Sequence, residues 1–486
     1  MVLFRSSSAE QNSMHQLVFS SDLVLLAKLF GPKVDWICVY DPQQRLKRNA
    51  EAKLVITDEV EALQQWLNSH PKQQCLFVDL ADQPMLEVYC MDNVPFILRF
   101  SLQAMEETAK GEYLYINNPD GTIRWLFPAE NRTAGFLNLY NSASWKAKLY
   151  RMLVPIAFKL GAKRMICNGS FSLFHKGEHP IESLLQKVDY DEYAIFTGTV
   201  GENRKAIIGL NEGPHTTHFV KVPISQQTNG LLNNEFQVIK TLEALALEQV
   251  EIPSATFLED KLLLGNVKPK QAVSPDRLEQ GHLQMLKELY QKTQSKKRLE
   301  DLPSYESIGD HIRHIQSNKL INNGLSTQEV AAISRLLHQQ YETLPLDQEL
   351  PVSLAHQDFT PWNMYVKGNK LYLYDFELST QAMPLLHDAF HFIFQSNILL
   401  KKRSFSVIDQ QVKALKSQVL VKEIIQQYDI DFNLHYRYYL LHQVSYYLWR
   451  YMRQEDLHLQ AHWLVESWKE ALEVLAAQGV ELDKNR

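Results

Sequence analysis

The sequence predicts an α+β protein whose first third forms a separate α/β domain, and three observations lead to that reading. A chain of 486 residues exceeds one ordinary core, so roughly three domains are expected. Residues 1–185 alternate short β-rich runs with helically spaced segments. Hairpin patterns then fill residues 186–267, and residues 268–486 read as mainly helical with one hairpin embedded in them. Hydrophobic residues at 45% and charged residues at 22% are ordinary for globular chains, so burying several cores is expected.

In the first region "WICVY", "KLVIT", "CLFVDL" and "FILRF" have strand character, and "EVEALQQWL" has helical spacing. The segment "SWKAKLYRMLVPIAFKL" (144–160) is also helical in pattern, with Pro155 expected to kink or shorten it. A partly parallel sheet is the expectation here. Neither a GxGxxG run nor a Walker loop is present, so the region carries a fold and no assignable chemistry. The second region reads as "YAIFTGTVG", "KAIIGL" and "HFVKVPI", a helix around "NNEFQVIKTLEAL", then "TFLEDKLLLGNV". The stretch "VKPKQAVSPDRLEQG" (267–281) reads as a loop before the helical third.

Charge and cysteine usage narrow the function classes. A net charge of −6, with "KKR" at 296–298 and 401–403 as short solvated runs, argues against a nucleic-acid binder. Cys38, Cys75, Cys90 and Cys167 are scattered without CxxC or Cys/His spacing, as buried thiols of a reducing compartment are. The opening "MVLFRSSSAEQNSMHQ" has no basic-then-apolar leader pattern. The longest apolar stretch, from Met152, is broken by Lys159 and Lys163, so no membrane insertion is expected. The cytoplasm is the expected location, and the N-x-[ST] triplets at Asn131 and Asn168 are expected to be inert.

The chemistry concentrates in "HQDFTPWNMYVKGNKLYLYDFE", residues 356–377. His356, Asp358 and Asn363 give H-x-D-x-x-x-x-N, and Asp375 follows twelve residues after the asparagine. "MYV", a "KGNK" reversal and "LYLY" form a hairpin signature. Folding about Gly368–Asn369 brings positions 363 and 375 nearly opposite, with adjacent strands ~4.8 Å apart. An amide oxygen and a carboxylate then share one mouth, within reach of a hard cation such as Mg2+. Asp358 lies on the loop before that mouth, where a carboxylate orients and deprotonates an attacking hydroxyl in phosphoryl transfer.

"HQDFTPWN…LYDFE" resembles the aminoglycoside phosphotransferase and choline kinase-like superfamily, the small-molecule branch of the protein-kinase-like fold, over roughly residues 190–450. The wording "DFTPWN" is closest to a bacterial subgroup of uncharacterised phosphotransferases. The resemblance implies a bilobal kinase-like fold, with residues 186–267 as N-lobe and 268–486 as C-lobe behind the domain at 1–185. It implies Asp358 as catalytic base, Asn363 and Asp375 as magnesium ligands, and His356 bracing the loop. Gln357 stands where the family has glycine. In "PLLHDAFHFIF" Asp388 fits the post-hairpin helix, either bonding back to the loop or merely starting a helix. Twelve residues between Asp375 and Asp388, "DFE" for D-F-G and no A-P-E leave no activation segment, which favours a small hydroxylated acceptor over a protein.

The smaller lobe should supply the nucleotide's phosphate contacts. Gly198 and Gly201 sit in a β-turn-β setting where backbone N–H groups can approach phosphate, although a plain turn explains them equally. Lys221 in "HFVKVPI" occupies the place of the nucleotide-binding lysine, against the alternative of a solvated edge charge. Glu235 is its best expected partner and Glu243 the fallback. "KLLLGNV" (261–267) should enter the inter-lobe connection and meet adenine. ATP is the expected nucleotide, with GTP also compatible.

Two other patterns invite alternatives. Tyr439, His442, Tyr446 and Trp449 share a helix face that either lines an acceptor pocket or forms an aromatic core stripe. "HDAFH" places His387 and His391 at i, i+4 as in a zinc protease, but with Asp for Glu and no evident third ligand. The expected function is ATP-dependent transfer of the γ-phosphate to a hydroxyl of an aminoglycoside, amino alcohol or sugar-like acceptor. The alternative is a catalytically idle nucleotide-binding or scaffold protein.

Overall fold

Nine strands of the first half form one sheet among the described residues. The computed structural model describes residues 29, 36–40, 109–118, 122–139, 145–175, 180–198, 203–317, 324–453, 457 and 459–484. They divide into two units, Met1–Leu232 with Ser254–Asn266, and Asn233–Pro253 with Val267–Arg486.

The strands of the first unit are β1 (Trp36–Tyr40), β2 (Ala109–Asn117), β3 (Ile123–Pro128), β4 (Gly169–His175), β5 (Glu192–Phe196), β6 (Lys205–Glu212) and β7 (His215–Pro223). After β8 (Val250–Glu251), which belongs to the second unit, come β9 (Ala255–Leu258) and β10 (Lys261–Gly265). The order is β1-β4-β2-β3-β5-β6-β7-β10-β9, and every pairing is antiparallel. The partly parallel sheet expected for residues 1–185 is therefore not seen among the described strands. Parallel neighbours need crossovers of a dozen or more residues, whereas β6 and β7 are separated only by Gly213 and Pro214. "WICVY" is β1, while "KLVIT", "CLFVDL", "FILRF" and "EVEALQQWL" lie outside the described residues.

The expected boundary at 185/186 is not a break in this sheet, because β3 pairs with β5 through Trp125↔Phe196 and Leu126↔Ile195. Continuing the ladder satisfies strand edges that would otherwise stand open. On one side lies helix α1 (Trp145–Lys159), which continues through Pro155, and α2 (Pro180–Leu185) follows β4. Leu114, Trp125, Phe127, Phe136, Val154 and Phe158 form the core beneath α1, with Phe127 and Phe136 stacked at 5.2 Å. Each buried ring contributes about 1.5–3 kcal/mol by leaving water. Asn131 is buried and donates through Nδ2 to the Tyr193 carbonyl at 2.8 Å, and the Asn168 Oδ1 accepts from the Asn117 amide. Cys167 is a half-buried free thiol whose burial pushes its pKa up to about 11, against the opposing pull of Lys163 and Arg164.

The second unit takes the helix α3 (Gln226–Leu245) from Asn233 onward, so the helix expected in the smaller lobe is divided between units. Its other helices are α4 (Gln280–Thr293), α5 (Pro303–Ser317), α6 (Thr327–Glu342), α7 (His387–Gln395), α8 (Phe405–Leu415), α9 (Val419–Tyr428), α10 (Phe432–Met452) and α11 (Leu459–Lys484). Their starts follow local chemistry. Ser326 and Glu329 form a reciprocal capping box at α6, and Asp431 accepts from the Asn433 and Leu434 amides at α10. Two small sheets interrupt the helices. One is β11 (Ser295–Arg298), β12 (Glu349–Ala355) and β15 (Thr380–Pro384), ordered β11-β12-β15. The other joins the hairpin β13 (Met364–Lys367) and β14 (Lys370–Leu373) to β8, which runs parallel to β14. The sequence showed the hairpin but not β11, β12 or β15. No described helix is long and apolar enough to cross a membrane.

Candidate active site

The buried strand β12 delivers the chain to His356, and everything after it is held by main-chain contacts. The His356 and Gln357 amides donate to Asp388 Oδ2 and Oδ1, at 2.7 and 3.0 Å. Asp388 is thus the anchor of the loop rather than only a helix-start residue. Burial alone raises a carboxyl pKa, but the hydrogen bonds from the His387 side chain and the His356 amide outweigh that and hold Asp388 below the usual range. Its contribution to stability is therefore present above the unfolded carboxylate pKa near ~3.9 and lost as pH falls through the lower folded value. Asp388→Ala strands two buried N–H donors, and urea unfolding should show a loss of about 3–5 kcal/mol. Asp388→Asn keeps one acceptor and should lose roughly half of that.

The sharp bend that aims both amides at Asp388 occurs at Gln357, whose φ is +63°. Left-handed backbone costs a non-glycine residue about 1–2 kcal/mol, a cost glycine would not carry at this position. The departure noted in the sequence leaves the bend intact and adds strain to it.

His356 is buried and its tautomer is set by its neighbours. The Asp358 amide donates to Nδ1 at 3.2 Å, so Nε2–H donates to the Tyr374 carbonyl at 2.8 Å. Phe359 and Phe376 pack around the ring, with centroids 6.3 and 4.9 Å away. His356 thereby ties the loop to the residue before Asp375.

Asn363 closes the arrangement. Its Nδ2 donates to Asp358 Oδ2 at 2.7 Å and to the Asp358 carbonyl at 3.0 Å. That leaves Asn363 Oδ1 as the amide atom available to a cation. The hairpin register runs Met364↔Leu373 to Lys367↔Lys370, with Gly368 at φ +61° in the turn. The Tyr374 amide donates to the Asn363 carbonyl at 2.9 Å, so Asn363 faces Tyr374, one residue short of the expected partner Asp375. Asp375 follows in left-handed backbone at φ +64°, a conformation aspartate tolerates better than most residues.

One ligand atom each from Glu235, Asp375 and Glu377 lie within 4.8 Å of one another. The Asn234 amide nitrogen donates to the carbonyls of Glu377 and Ser379 at 2.9 Å each, which sets α3 against this turn. These three carboxylates are hard oxygen donors, as Asn363 Oδ1 is, and magnesium takes donors of that kind. The residues present fit that ion. Glu377, which the sequence showed only as a departure from D-F-G, thus joins the acids. Glu243, the fallback partner for Lys221, instead forms an exposed pair with Lys240 at 2.8 Å.

Behind Asp358 stands His391, a residue the sequence suggested only as half of a zinc pair. It is fully buried, and its Nε2 lies 3.6 Å from Asp358 Oδ1, outside hydrogen-bond range. The His387 and His391 rings lie 6.2 Å apart at 10°, and among the described residues no metal cluster forms around them. His387 is neutral: burial lowers its pKa, its Nδ1–H points to Asp388 Oδ1 at 3.4 Å, and Gln443 approaches its Nε2 at 3.4 Å. The aromatic face of α10 is split. Tyr439 and His442 are buried as core, Tyr439 edge-on to His387 at 5.2 Å, while Tyr446 and Trp449 are half-buried, Trp449 stacked on His311 at 4.9 Å.

The phosphate-side candidates belong to the first unit. Lys221 is no edge charge: β7 lies between β6 and β10, and the residue is 6% exposed. A buried lysine needs polar company, and Lys221 has it. Gly198 has φ +76°, and a Cβ there would meet the Lys205 carbonyl oxygen at 2.3 Å, so the chain's own packing requires glycine. Gly201 lies outside the described residues. The run "KLLLGNV" is β10 followed by Asn266 and Val267, between which the chain passes from one unit to the other. Lys221 and Glu235 fall in different units, each described by itself.

No family model and no curated protein matches the sequence. Among solved structures, the chain is similar to an ADP-bound aminoglycoside phosphotransferase, APH(2'')-Ib, at 16% identity and a TM-score of 0.36, over 60% of this chain and 95% of that one. It is similar to the choline kinase LicA from Streptococcus pneumoniae at 13% identity and 0.39, over 61% and 98%. The GDP complex of aminoglycoside 2'-phosphotransferase-IIIa matches at 17% identity and 0.38, over 62% and 97%.

Proposed function

We propose that the protein is a nucleotide-dependent phosphotransferase that moves the γ-phosphate of ATP to a hydroxyl of a small molecule. The supporting observation is the Asn363–Asp358 pair, in which the amide nitrogen grips both the carboxylate and the carbonyl of Asp358 and leaves the amide oxygen to accept. Asp358 accepts the proton of the acceptor hydroxyl as that oxygen attacks the γ-phosphorus in line. The bond to the β,γ-bridging oxygen breaks, and ADP departs. His356 and Asp388 hold the loop so that the carboxylate needs no reorganisation. Asn363 and Asp375 would hold magnesium, which when bound supplies positive charge to the phosphate oxygens. Lys221 supplies the cation for the α/β-phosphates, and the backbone around Gly198 and Gly201 covers them. The acceptor is a sugar, amino alcohol or aminoglycoside, with a sugar or glycan precursor preferred.

The test is calorimetric ATP binding with and without magnesium, followed by an ATP-consumption screen over hydroxylated metabolites. Magnesium should tighten ATP binding at least tenfold in the wild type and much less in Asn363→Ala and Asp375→Ala. Binding indifferent to magnesium, with no metabolite raising consumption, would establish the idle scaffold instead.

A further inference from the structure

Helix α1 turns two apolar faces outward from its axis, and only one of them packs against other described residues. Val154 and Phe158 enter the core of the first unit. On another face, Leu149, Met152, Leu153, Ile156 and Leu160 recur at i, i+3, i+4, i+7 and i+11. All five are exposed, Met152 at 61% and Leu160 at 76%, and Met165 just beyond the helix is 86% exposed. A continuous apolar stripe of this kind marks an interaction surface rather than scattered surface residues.

Charge indicates what covers it. Residues 131–177 carry eight Lys or Arg and no Asp or Glu, in a chain whose net charge is −6. Arg164 is paired with Glu112 at 2.6 Å, and Lys163 donates to the Asn131 carbonyl at 2.7 Å. Lys148, Arg151 and Lys159 are exposed on the helix itself and form no ion pair with other described residues. The stripe contains Leu, Met and Ile but no Trp or Tyr, the residues that anchor protein–protein contacts. Flexible aliphatic side chains flanked by lysine and arginine suit an acyl-chain boundary beneath anionic headgroups.

We propose that α1 is an interfacial helix that docks the first unit onto an anionic lipid bilayer. It lies in the plane of the surface with Leu149, Met152, Leu153, Ile156 and Leu160 among the upper acyl chains. Lys148 and Lys159, at the edge of the stripe, meet the lipid phosphates. The helix does not cross the bilayer, consistent with the absence of a spanning helix among the described residues.

Co-sedimentation of the full chain with phosphatidylcholine vesicles, with and without phosphatidylglycerol, tests this. Binding should be at least tenfold stronger to the anionic vesicles and should weaken with added salt. Met152→Glu/Ile156→Glu should abolish it without altering the circular dichroism spectrum, since both positions are solvent-facing. Lys148→Glu/Lys159→Glu leaves the stripe intact and should weaken binding by about 30-fold. Equal binding to both vesicle types, or to neither, overturns the proposal. So does a dimer in light scattering that the Met152→Glu/Ile156→Glu variant dissolves while no vesicle binding is seen, which would make a second copy the occupant. None of these readouts depends on catalysis.

Discussion

Asp358→Asn should lower acceptor phosphorylation by about 10²–10⁴-fold while nucleotide affinity changes less than about threefold. The expectation follows from how the carboxylate is held. Asn363 grips Oδ2 and the main-chain carbonyl, and 26% of the side chain is exposed, so a substrate can reach it. Asparagine fills the same volume and keeps an oxygen for the Asn363 amide, so the loop should survive the change. What disappears is a base that can take a proton. ADP release with any acceptor found in the metabolite screen is the measurement, with nucleotide binding by calorimetry as the control. Turnover within about threefold of wild type would remove Asp358 from the chemistry.

Acid should unfold the second unit well above the range in which carboxylates titrate. His282, His387, His435 and His442 are all buried, and burial lowers each of their pKa values, His282 to about 4. Unfolded histidine titrates near ~6.5, so below that pH the unfolded chain binds protons that the folded one refuses. Stability is therefore full above pH ~6.5 and falls as pH drops toward the folded values. His282 alone should remove about 2–3 kcal/mol by pH 4.5, from a total of about 5–15 kcal/mol typical of domains. Urea midpoints followed by circular dichroism from pH 7.5 to 4.5 should decline steadily, and His282→Gln should flatten part of the decline. A midpoint constant down to pH 5 would contradict the assignment of these rings as neutral.

Legibility in the sequence followed the range of the interaction. The loop at 356–363 and the reversal at Gly368 could be read because spacing and turn chemistry are local, and His356, Asp358 and Asn363 do meet. Asp388 could be placed on its helix, but only tertiary packing decides that it takes two loop amides. His391 beneath Asp358 and Glu377 beside Asp375 arise from helix and turn positions that no motif encodes. Lys221 in a central strand was hidden for another reason: sheet order depends on pairings across residues 36–265, and a single strand does not disclose whether it is an edge.

The bend at Gln357 has an evolutionary corollary. Its side chain does nothing to favour a positive φ, so the conformation is held from outside, by the Asp388 carboxylate on the His356 and Gln357 amides and by His356 Nδ1 on the Asp358 amide. A lineage that keeps glutamine at 357 thereby depends more heavily on the acid at 388 than one with glycine does. The two positions should be inherited together, as a joint genotype rather than as independent sites.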